Sequence, residues 1–296
     1  MPKKIIFYYQ TLTSLKPILF EDTPVTHIHL SAIHFGVDKS NEPYIHLNNN
    51  NPYNYIFDNL WLELEKATEL GIKIILMIGG AGGAYKHLFY NFNTYYNMLR
   101  ILIKSKPCIV GVDIDVEEYC SLDNIKLLIR QLTNDFGENF IISTAPIQSS
   151  IENDTPGLAG FVYKDLINSD EGKYIDYING QFYVSYTLSA YDNVINNSYD
   201  STKVVMGMTS GEDISELPNI VKKYGDKFGG VFIWEYFSTK PTPLEWLNNM
   251  NKLLNSGNET DYEISDELTE DIKITITEII KETFKNLENN PRCTII

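Results

Sequence analysis

The sequence predicts an α/β protein built as a (β/α)8 TIM barrel with a C-terminal amphipathic helical tail. Short runs of β-branched and aromatic residues alternate with segments of helical periodicity, a pattern that indicates parallel strands joined by helices. Eight such units over about 250 residues match the barrel, whose active sites lie at the C-terminal ends of the strands. A doubly wound open sheet is the alternative, but no glycine-rich phosphate fingerprint follows the first strand.

The predicted elements follow one another along the first 254 residues. Strands are expected at residues 5–9, 26–33, 73–78, 109–115, 140–145, 177–183, 203–208 and 230–234. Helical periodicity is clearest at residues 60–70, 85–104, 122–136, 214–224 and 243–254. We therefore expect a barrel domain over residues 1–254, followed by an acidic linker and an amphipathic helix over residues 255–296.

Composition and charge restrict the class of partner. The 296 residues are 43% hydrophobic and carry a net charge of −15, so a nucleic-acid backbone is a poor partner and a neutral ligand is favoured. No apolar run reaches the ~18 residues of a membrane span, and the N-terminus lacks a secretory-signal pattern. We expect a cytoplasmic protein with no transmembrane segment. Cys108, Cys120 and Cys293 form neither a disulfide framework nor a zinc pattern, which fits a reducing compartment.

A row of acids in the fourth predicted strand is the main candidate site. Aliphatic residues alternate with Asp113, Asp115 and Glu117 over residues 110–117, so the three carboxylates share one face of the strand and Glu118 points away from them. Acids on a buried face must be hydrogen-bonded, paired or protonated. Carboxylates this close in a low-dielectric site resist simultaneous ionisation, so the row is expected to share a proton near neutral pH.

Two further motifs are assigned structural roles. The glycine-rich run at residues 79–83 lacks the Lys-Ser/Thr ending of a phosphate loop, and a close backbone approach at the strand end explains it better. His27 and His29 share a face of the second strand. No third ligand stands at metal spacing, so they are expected to be hydrogen-bonded histidines inside the barrel, and no metal site is predicted.

The tail differs in character from the barrel. Aliphatic residues recur at near-helical spacing from Ile264 to Leu287, which predicts an amphipathic helix for self-association or for docking on the barrel. The last four residues, from Cys293 to Ile296, fit a prenylation signal that would attach the protein to a membrane through Cys293. Isoleucine is not a usual final residue and the preceding segment is not polybasic, so a chance match is preferred.

Four segments together resemble glycoside hydrolase family 18, the family of chitinases and related endo-β-N-acetylglucosaminidases. The family signature D-x-x-D-x-D-x-E matches at Asp113, Asp115 and Glu117, with Val110 in place of the first aspartate. The third strand keeps the glycines of S-x-G-G but has Met77 for the serine. The sixth and eighth strands supply the family's Gln181-Phe182-Tyr183 and Trp234. The resemblance covers about residues 4–250 and implies the compact form, because no α+β insertion fits after the seventh strand.

The resemblance implies retaining, substrate-assisted hydrolysis of β-1,4 bonds in N-acetylglucosamine-containing glycans, either chitin oligosaccharides or the N-glycan core, without a cofactor. Glu117 would be the general acid and base, Asp115 would bind the substrate's acetamido nitrogen, and Asp113 would support Asp115. Tyr183 would donate its hydroxyl to the same acetamido group. The expected substrate-binding residues are Trp234, Gln181 and Tyr8.

Two alternatives remain from the sequence. One is a carbohydrate-binding protein whose site is weak or silent, because Val110 and Met77 replace polar residues of the family. The other makes Asp113, Asp115 and Glu117 ligands of a divalent ion. One strand does not readily supply three ligands to one metal, so this second alternative is the weaker.

Overall fold

The computed structural model describes residues 3–256 and confirms the (β/α)8 barrel. Its strands are β1 (Lys4–Tyr9), β2 (His27–Val37), β3 (Pro43–Leu47), β4 (Lys73–Gly79), β5 (Ile109–Asp115), β6 (Ile141–Thr144), β7 (Tyr177–Gln181), β8 (Val204–Thr209) and β9 (Gly230–Trp234). All but β3 are parallel, and β1 pairs with both β2 and β9, which closes the barrel. The predicted tail helix and Cys293 lie outside the described residues, so the tail and the domain boundary at residue 254 stay predictions.

The helices surround the strands. They are α1 (Asp58–Glu69), α2 (Ala84–Tyr90), α3 (Phe92–Ser105), α4 (Leu122–Phe136), α5 (Gln148–Asn153), α6 (Tyr163–Ile167), α7 (Leu188–Asn196), α8 (Leu217–Tyr224) and α9 (Pro243–Asn255). Ser121 and Thr242 begin α4 and α9 by accepting hydrogen bonds from Asn124 and Glu245 backbone N–H groups, which satisfies donors that a helix start leaves unpaired. None of the helices within residues 3–256 is long and apolar enough to cross a membrane.

Two local expectations differ from the structure. The helix predicted over residues 85–104 is two helices, because Asn91 leaves helical geometry and its side chain accepts a hydrogen bond from Thr94; asparagine favours such a cap over a helix interior. The second predicted strand continues to Val37 and turns back into the antiparallel β3. The bounds of α5, α6 and α7 were not predicted, although the alternation of strands and helices called for helices in this part of the chain.

The barrel domain has two separate hydrophobic cores. The larger lies between the strands and the surrounding helices. The smaller one fills the inside of the barrel with Ile6, Tyr8, Ala32, Met77, Tyr177, Val205 and Phe232. Polar side chains share that interior, because strand alternation turns every second residue inward. His29, Asp113, Ser143 and Asn179 are all fully buried there.

Candidate active site

The acid row lies on β5 and on the residues that follow it, at the C-terminal end of the barrel. Asp113 is fully buried, Asp115 is 4% exposed, and Glu117 is half-buried just beyond the strand. The glycines at the end of β4 fix this position: Gly80 donates its N–H to the carbonyl oxygen of Asp115 at 3.0 Å. A Cβ on Gly79 would lie only 2.1 Å from that same oxygen. The glycine run therefore permits the close backbone approach expected from the sequence.

Asp113 receives polar contacts from four other strands. Tyr8 donates its hydroxyl to Oδ2 at 2.7 Å, and Ser143 donates to Oδ1 at 2.6 Å. The Asn179 amide donates to Oδ1 at 3.2 Å. The Nδ1 of His29 lies 3.3 Å from Oδ2, in ion-pair range but not aligned as a hydrogen bond. The buried carboxylate is thus well satisfied even though Val110 and Met77 offer it no polar group.

The two buried aspartates differ in proton affinity. Burial alone would raise the pKa of Asp113, but the neighbouring His29 and the hydroxyl donors Ser143 and Tyr8 outweigh it, and the pKa lies below its ordinary value. Burial raises the pKa of Asp115 well above its ordinary value, and the negative charges of Glu117 and Asp113 add to the effect. Of the two buried aspartates, Asp115 is therefore the one with the higher proton affinity.

Gln181 connects the two outer acids. Its Nε2 lies 3.4 Å from an oxygen of Asp115 and 3.4 Å from an oxygen of Glu117, and donates to the Ala145 carbonyl at 2.8 Å. The shorter bond holds the amide in place, while the two longer contacts keep its positive end toward both carboxyl groups. Gln181 lies at the site, as predicted, and the structure adds that it bridges Asp115 and Glu117.

A cavity of about 210 Å³ opens above the acid row. Its wall includes every predicted site residue except the fully buried Asp113: Tyr8, Asp115, Glu117, Gln181, Tyr183 and Trp234. The Trp234 and Tyr8 rings lie 5.4 Å apart, and the Tyr183 ring packs edge-on against Phe232 at 6.3 Å. Burial and the nearby acids, Asp115 first, raise the pKa of Tyr183 well above its ordinary value. Its hydroxyl is therefore a neutral donor at any ordinary pH.

Tyr8 was expected to bind substrate, and its place in the structure adds a second contact. It lines the cavity, yet it is 2% exposed and its hydroxyl is already engaged by Asp113. Tyr8 therefore supports the acid row, and its ring edge is what faces the cavity. Glu118 accepts the N–H of Tyr85 at 2.6 Å at the start of α2, which agrees with the structural role given to it.

The loop after β7 has an unusual backbone that fixes Tyr183. Val184 has a φ of 58°, a left-handed conformation that β-branched residues avoid. Its N–H donates to Glu212 Oε1 at 2.7 Å, and Thr209 donates to Glu212 Oε2 at 2.8 Å. This carboxylate ties the residue after Tyr183 to the end of β8. Sequence reasoning missed Glu212, because nothing in the pattern links the two loops.

Sequence reasoning also missed the partners of Asp113. His29 was correctly expected to be a hydrogen-bonded histidine inside the barrel, and its Nε2 is hydrogen-bonded to the Tyr177 hydroxyl at 2.9 Å. Ser143 and Asn179 were not singled out as site residues. Inward-facing polar residues on β6 and β7 were the available signal, but their common target depends on how the barrel closes.

The geometry supports neither of the two metal sites considered, the one at His27 and His29 and the one at the acid row. Within residues 3–256, no group of three or more His, Cys, Asp or Glu side chains is arranged to hold a metal ion. Both oxygens of Asp113 already accept hydrogen bonds. A larger groove of about 990 Å³ beside α1 holds one acid, Glu63, whose oxygens accept from Ser14 and Leu15. The smaller cavity therefore remains the candidate site.

Comparison with solved structures gives consistent neighbours. A fungal endo-beta-N-acetylglucosaminidase from glycosyl hydrolase family 18 is 30% identical; the match covers 87% of this chain and 100% of that one, with a TM-score of 0.78. A chitinase from Aspergillus fumigatus is 29% identical, with coverage of 84% and 99% and a TM-score of 0.73.

A glycosyl hydrolase family 18 chitinase from Pseudoalteromonas aurantia is 21% identical, with coverage of 85% and 100% and a TM-score of 0.68, and this match bears on the fold alone. No protein-family profile and no curated protein sequence matches the chain.

Proposed function

Because the chain belongs to glycoside hydrolase family 18, we propose that it hydrolyses β-1,4 bonds in N-acetylglucosamine-containing glycans by a retaining, substrate-assisted mechanism. One observation carries the proposal: a single cavity wall combines Asp115, Glu117, Gln181, Tyr183 and Trp234. These groups supply an acid, a partner for the acetamido group, a neutral hydroxyl donor and an apolar surface for a sugar ring. Family 18 uses the substrate's own acetamido group in place of a second carboxylate.

A proton held by Asp115 can be transferred to Glu117, the general acid, when substrate binds. Burial and two neighbouring carboxylates raise the pKa of Asp115, and we place a proton on it before substrate binds. An acetamido N–H placed against Asp115 would favour its ionised form, since a carboxylate is the better acceptor. The released proton then passes to Glu117, which shares the Gln181 amide with Asp115. Substrate binding would thereby prepare Glu117 to protonate the leaving oxygen.

The bond changes follow from that arrangement. Glu117 donates its proton to the glycosidic oxygen as the bond to the anomeric carbon breaks, and the acetamido carbonyl oxygen attacks that carbon to form an oxazolinium ion. Ionised Asp115 accepts the N–H of this cation, while Tyr183 donates to its oxygen. Glu117, now a carboxylate, takes a proton from the water that attacks the anomeric carbon and opens the oxazolinium ring. Two inversions at the anomeric carbon give net retention.

Soluble glycans fit the cavity better than a crystalline polymer. One short loop, residues 210–216, connects β8 to α8, so no domain is inserted there, and the cavity volume of about 210 Å³ is small. Trp234 lines it, whereas Trp61 and Trp246 belong to α1 and α9 and are 5% exposed. The two neighbours near 30% identity are an endo-beta-N-acetylglucosaminidase and a chitinase. Chitin oligosaccharides and N-glycan cores are therefore the two substrates to compare.

The test is the Glu117→Gln variant, assayed with both substrates and with product masses and anomeric configuration recorded. Loss of the acid should lower kcat by about 10³-fold or more, leaving substrate binding largely intact. Glu65→Gln on the exposed face of α1 is the matched control. Equal turnover by Glu117→Gln and the wild-type protein would overturn the assignment.

The second candidate is a chitinase-like binding protein with a weak or silent site. The residues that favour it are Val110 and Met77, which replace polar family positions. Against it, Asp113 retains three hydrogen-bond donors and the nearby His29, so the lower part of the row is supported from other strands. Binding of chitotetraose by wild-type protein, without turnover from pH 4 to pH 9, would favour this candidate.

A further inference from the structure

A second cavity lies at the opposite end of the barrel. It measures about 330 Å³, and its wall is built largely from residues at or just before strand starts: Lys4, His27, Lys73, Ile141, Tyr177 and Lys203. Parallel strands bring their N-terminal ends together on one face. This cavity is therefore separate from the acid row, and the proposed hydrolysis makes no use of it.

The wall is positively charged in an acidic protein. Lys4, Lys73, Lys173 and Lys203 line the cavity, with Asp176 as its single acid. The whole chain has a net charge of −15, so four lysines at one opening run against the overall balance. Asp176 uses Oδ2 to accept the N–H of Ile142 at 2.8 Å. Lys203 also donates to the Ile175 carbonyl at 2.8 Å, and Asp170 and Glu138 act on Lys173 from outside the wall. The lining still carries an excess of positive charge, which favours an anion.

Lys4 is the residue that distinguishes this cavity from an ordinary patch of surface lysines. It is 9% exposed, and its Nζ lies over the Tyr177 ring, 5.0 Å from the centroid. Within residues 3–256 no carboxylate oxygen comes within 4.0 Å of that Nζ. A lysine kept only for solubility would extend its whole side chain into water. Lys4 is instead largely buried, while its Nζ, which donates no hydrogen bond within the described residues, stays at the cavity surface, where a bound anion would contact it.

The pKa directions of Lys4 and His27 reflect both burial and the positive charges around the cavity. Burial lowers the pKa of Lys4; Asp176 opposes this shift and Lys203 adds to it. Burial also lowers the pKa of His27 well below its ordinary value, followed by the charges of His29, Lys4 and Lys73. His27 is therefore a neutral donor and acceptor here. A bound anion would relieve the repulsion among these groups.

The remaining wall is apolar. Ile141, Ile175 and the ring of Tyr177 line it; Ile175 and Tyr177 are each only 1% exposed, so the half-buried Ile141 offers most of the accessible apolar surface among them. A simple inorganic ion would satisfy the charges but would leave this surface in contact with water. An occupant with a flat apolar body would cover it at about 25 cal/mol per Å².

We propose that this cavity binds a small organic anion, a carboxylate or phosphate monoester with an aromatic or other flat apolar body. The anionic group would lie among the Lys4, Lys73 and Lys203 ammonium groups, and the apolar body would lie against the half-buried Ile141. The site does not depend on the proposed hydrolysis, so it is tested by binding alone.

The experiment is calorimetric titration of the full chain with phenyl phosphate, with inorganic phosphate, phenol and benzoate as comparison ligands. Phenyl phosphate and benzoate should bind with 1:1 stoichiometry, and phenol should not. Inorganic phosphate should bind more weakly than phenyl phosphate. Binding should persist in Glu117→Gln and in the presence of chitotetraose, which places it outside the acid-row cavity.

Lys4→Met is the decisive variant, with Lys39→Met at an exposed turn as its control. The Lys4 change should weaken phenyl phosphate binding by about tenfold or more, because it removes a cavity-facing charge, and Lys39→Met should leave binding unchanged. Thermal unfolding without ligand serves as a second measurement: Lys4→Met should be about as stable as the wild type, since methionine keeps an apolar stem against Tyr177.

Three results would overturn the site: no 1:1 binding by the wild type, equal binding by Lys4→Met, or marked destabilisation by Lys4→Met without ligand. Equal affinity for inorganic and phenyl phosphate would overturn the assignment of an apolar body.

Discussion

His29 Nδ1 lies 3.3 Å from Asp113 Oδ2 inside the barrel, and neither side chain is exposed to solvent. Asp113 is the innermost member of the acid row, so the pair lies at the buried end of that row. The imidazole and the hydroxyl donors lower the pKa of Asp113, and its negative charge in turn helps to raise the pKa of Asp115. The difference in pKa between Asp113 and Asp115 therefore depends on this pair.

The first prediction concerns His29→Leu. Removing the imidazole leaves a buried carboxylate with less compensation and should lower the free energy of unfolding by about 3 kcal/mol at pH 7. Asp113 has a lowered folded-state pKa, so its stabilisation is present above the unfolded pKa of about 4 and is lost as pH falls through the folded value. The gap between variant and wild type should therefore narrow below about pH 4.

Urea denaturation at several pH values measures this gap. His87→Leu on α2, away from the barrel interior, is the comparison. A gap for His29→Leu that stays constant with pH would contradict the role given to the pair.

The second prediction concerns Asp115→Asn, which should raise the free energy of unfolding at neutral pH, whereas His29→Leu should lower it. The folded-state pKa of Asp115 is raised, so in the wild-type protein stability is lost as pH rises from the unfolded pKa of about 4 toward the folded value. Asparagine cannot ionise and avoids this loss. The variant should gain about 1.4 kcal/mol over wild type for each unit by which the pKa is raised, while its activity falls.

The gain should be absent near pH 4 and present at pH 7, in the same denaturation series. Asp22→Asn at an exposed position is the control and should show no such trend. An Asp115→Asn protein that is less stable than wild type at pH 7 would refute the assignment of the shared proton.

The third prediction concerns Tyr183→Phe. The hydroxyl makes no hydrogen bond to other groups within residues 3–256, so its removal should change the free energy of unfolding by less than about 0.5 kcal/mol. Activity should fall by about 10²-fold, because a transition-state donor is lost. Steady-state kinetics should show the loss in kcat. Tyr55→Phe, 80% exposed, is the control, and a loss confined to KM would mean that Tyr183 only binds substrate.

The fourth prediction compares two glycines that both have positive φ. Gly79 has a φ of 99° and a Cβ there would lie 2.1 Å from the Asp115 carbonyl oxygen, whereas Gly71 has a φ of 85° and open space around it. Gly71→Ala should cost about 1–2 kcal/mol of stability from backbone strain alone. Gly79→Ala should cost more and should also abolish activity, because it displaces Asp115. Equal effects on stability and activity would show that the contact with Asp115 is unimportant.

Local pattern was sufficient for the barrel and for the acid row. Alternation along residues 110–117 placed Asp113, Asp115 and Glu117 on one face, and periods of 2 and 3.6 residues gave most strands and the long helices. Tyr183, Gln181 and Trp234 were expected through the family resemblance, and the structure brings all three to the same cavity. Asn91, which divides the helix predicted over residues 85–104, shows where the period alone fails: a single cap can end a helix inside an unbroken apolar pattern.

Tertiary structure alone decided which groups meet. His29, Ser143, Asn179 and Tyr8 belong to four strands, and only the closure and register of the barrel direct them to Asp113. The same closure collects Lys4, Lys73 and Lys203 at the other end. The proton affinity of a buried carboxyl group depends on the charges and donors within a few ångströms of it. Residue spacing along one strand determined that there is an acid row, and the groups that neighbouring strands bring to Asp113 determined that its pKa is lowered while that of Asp115 is raised.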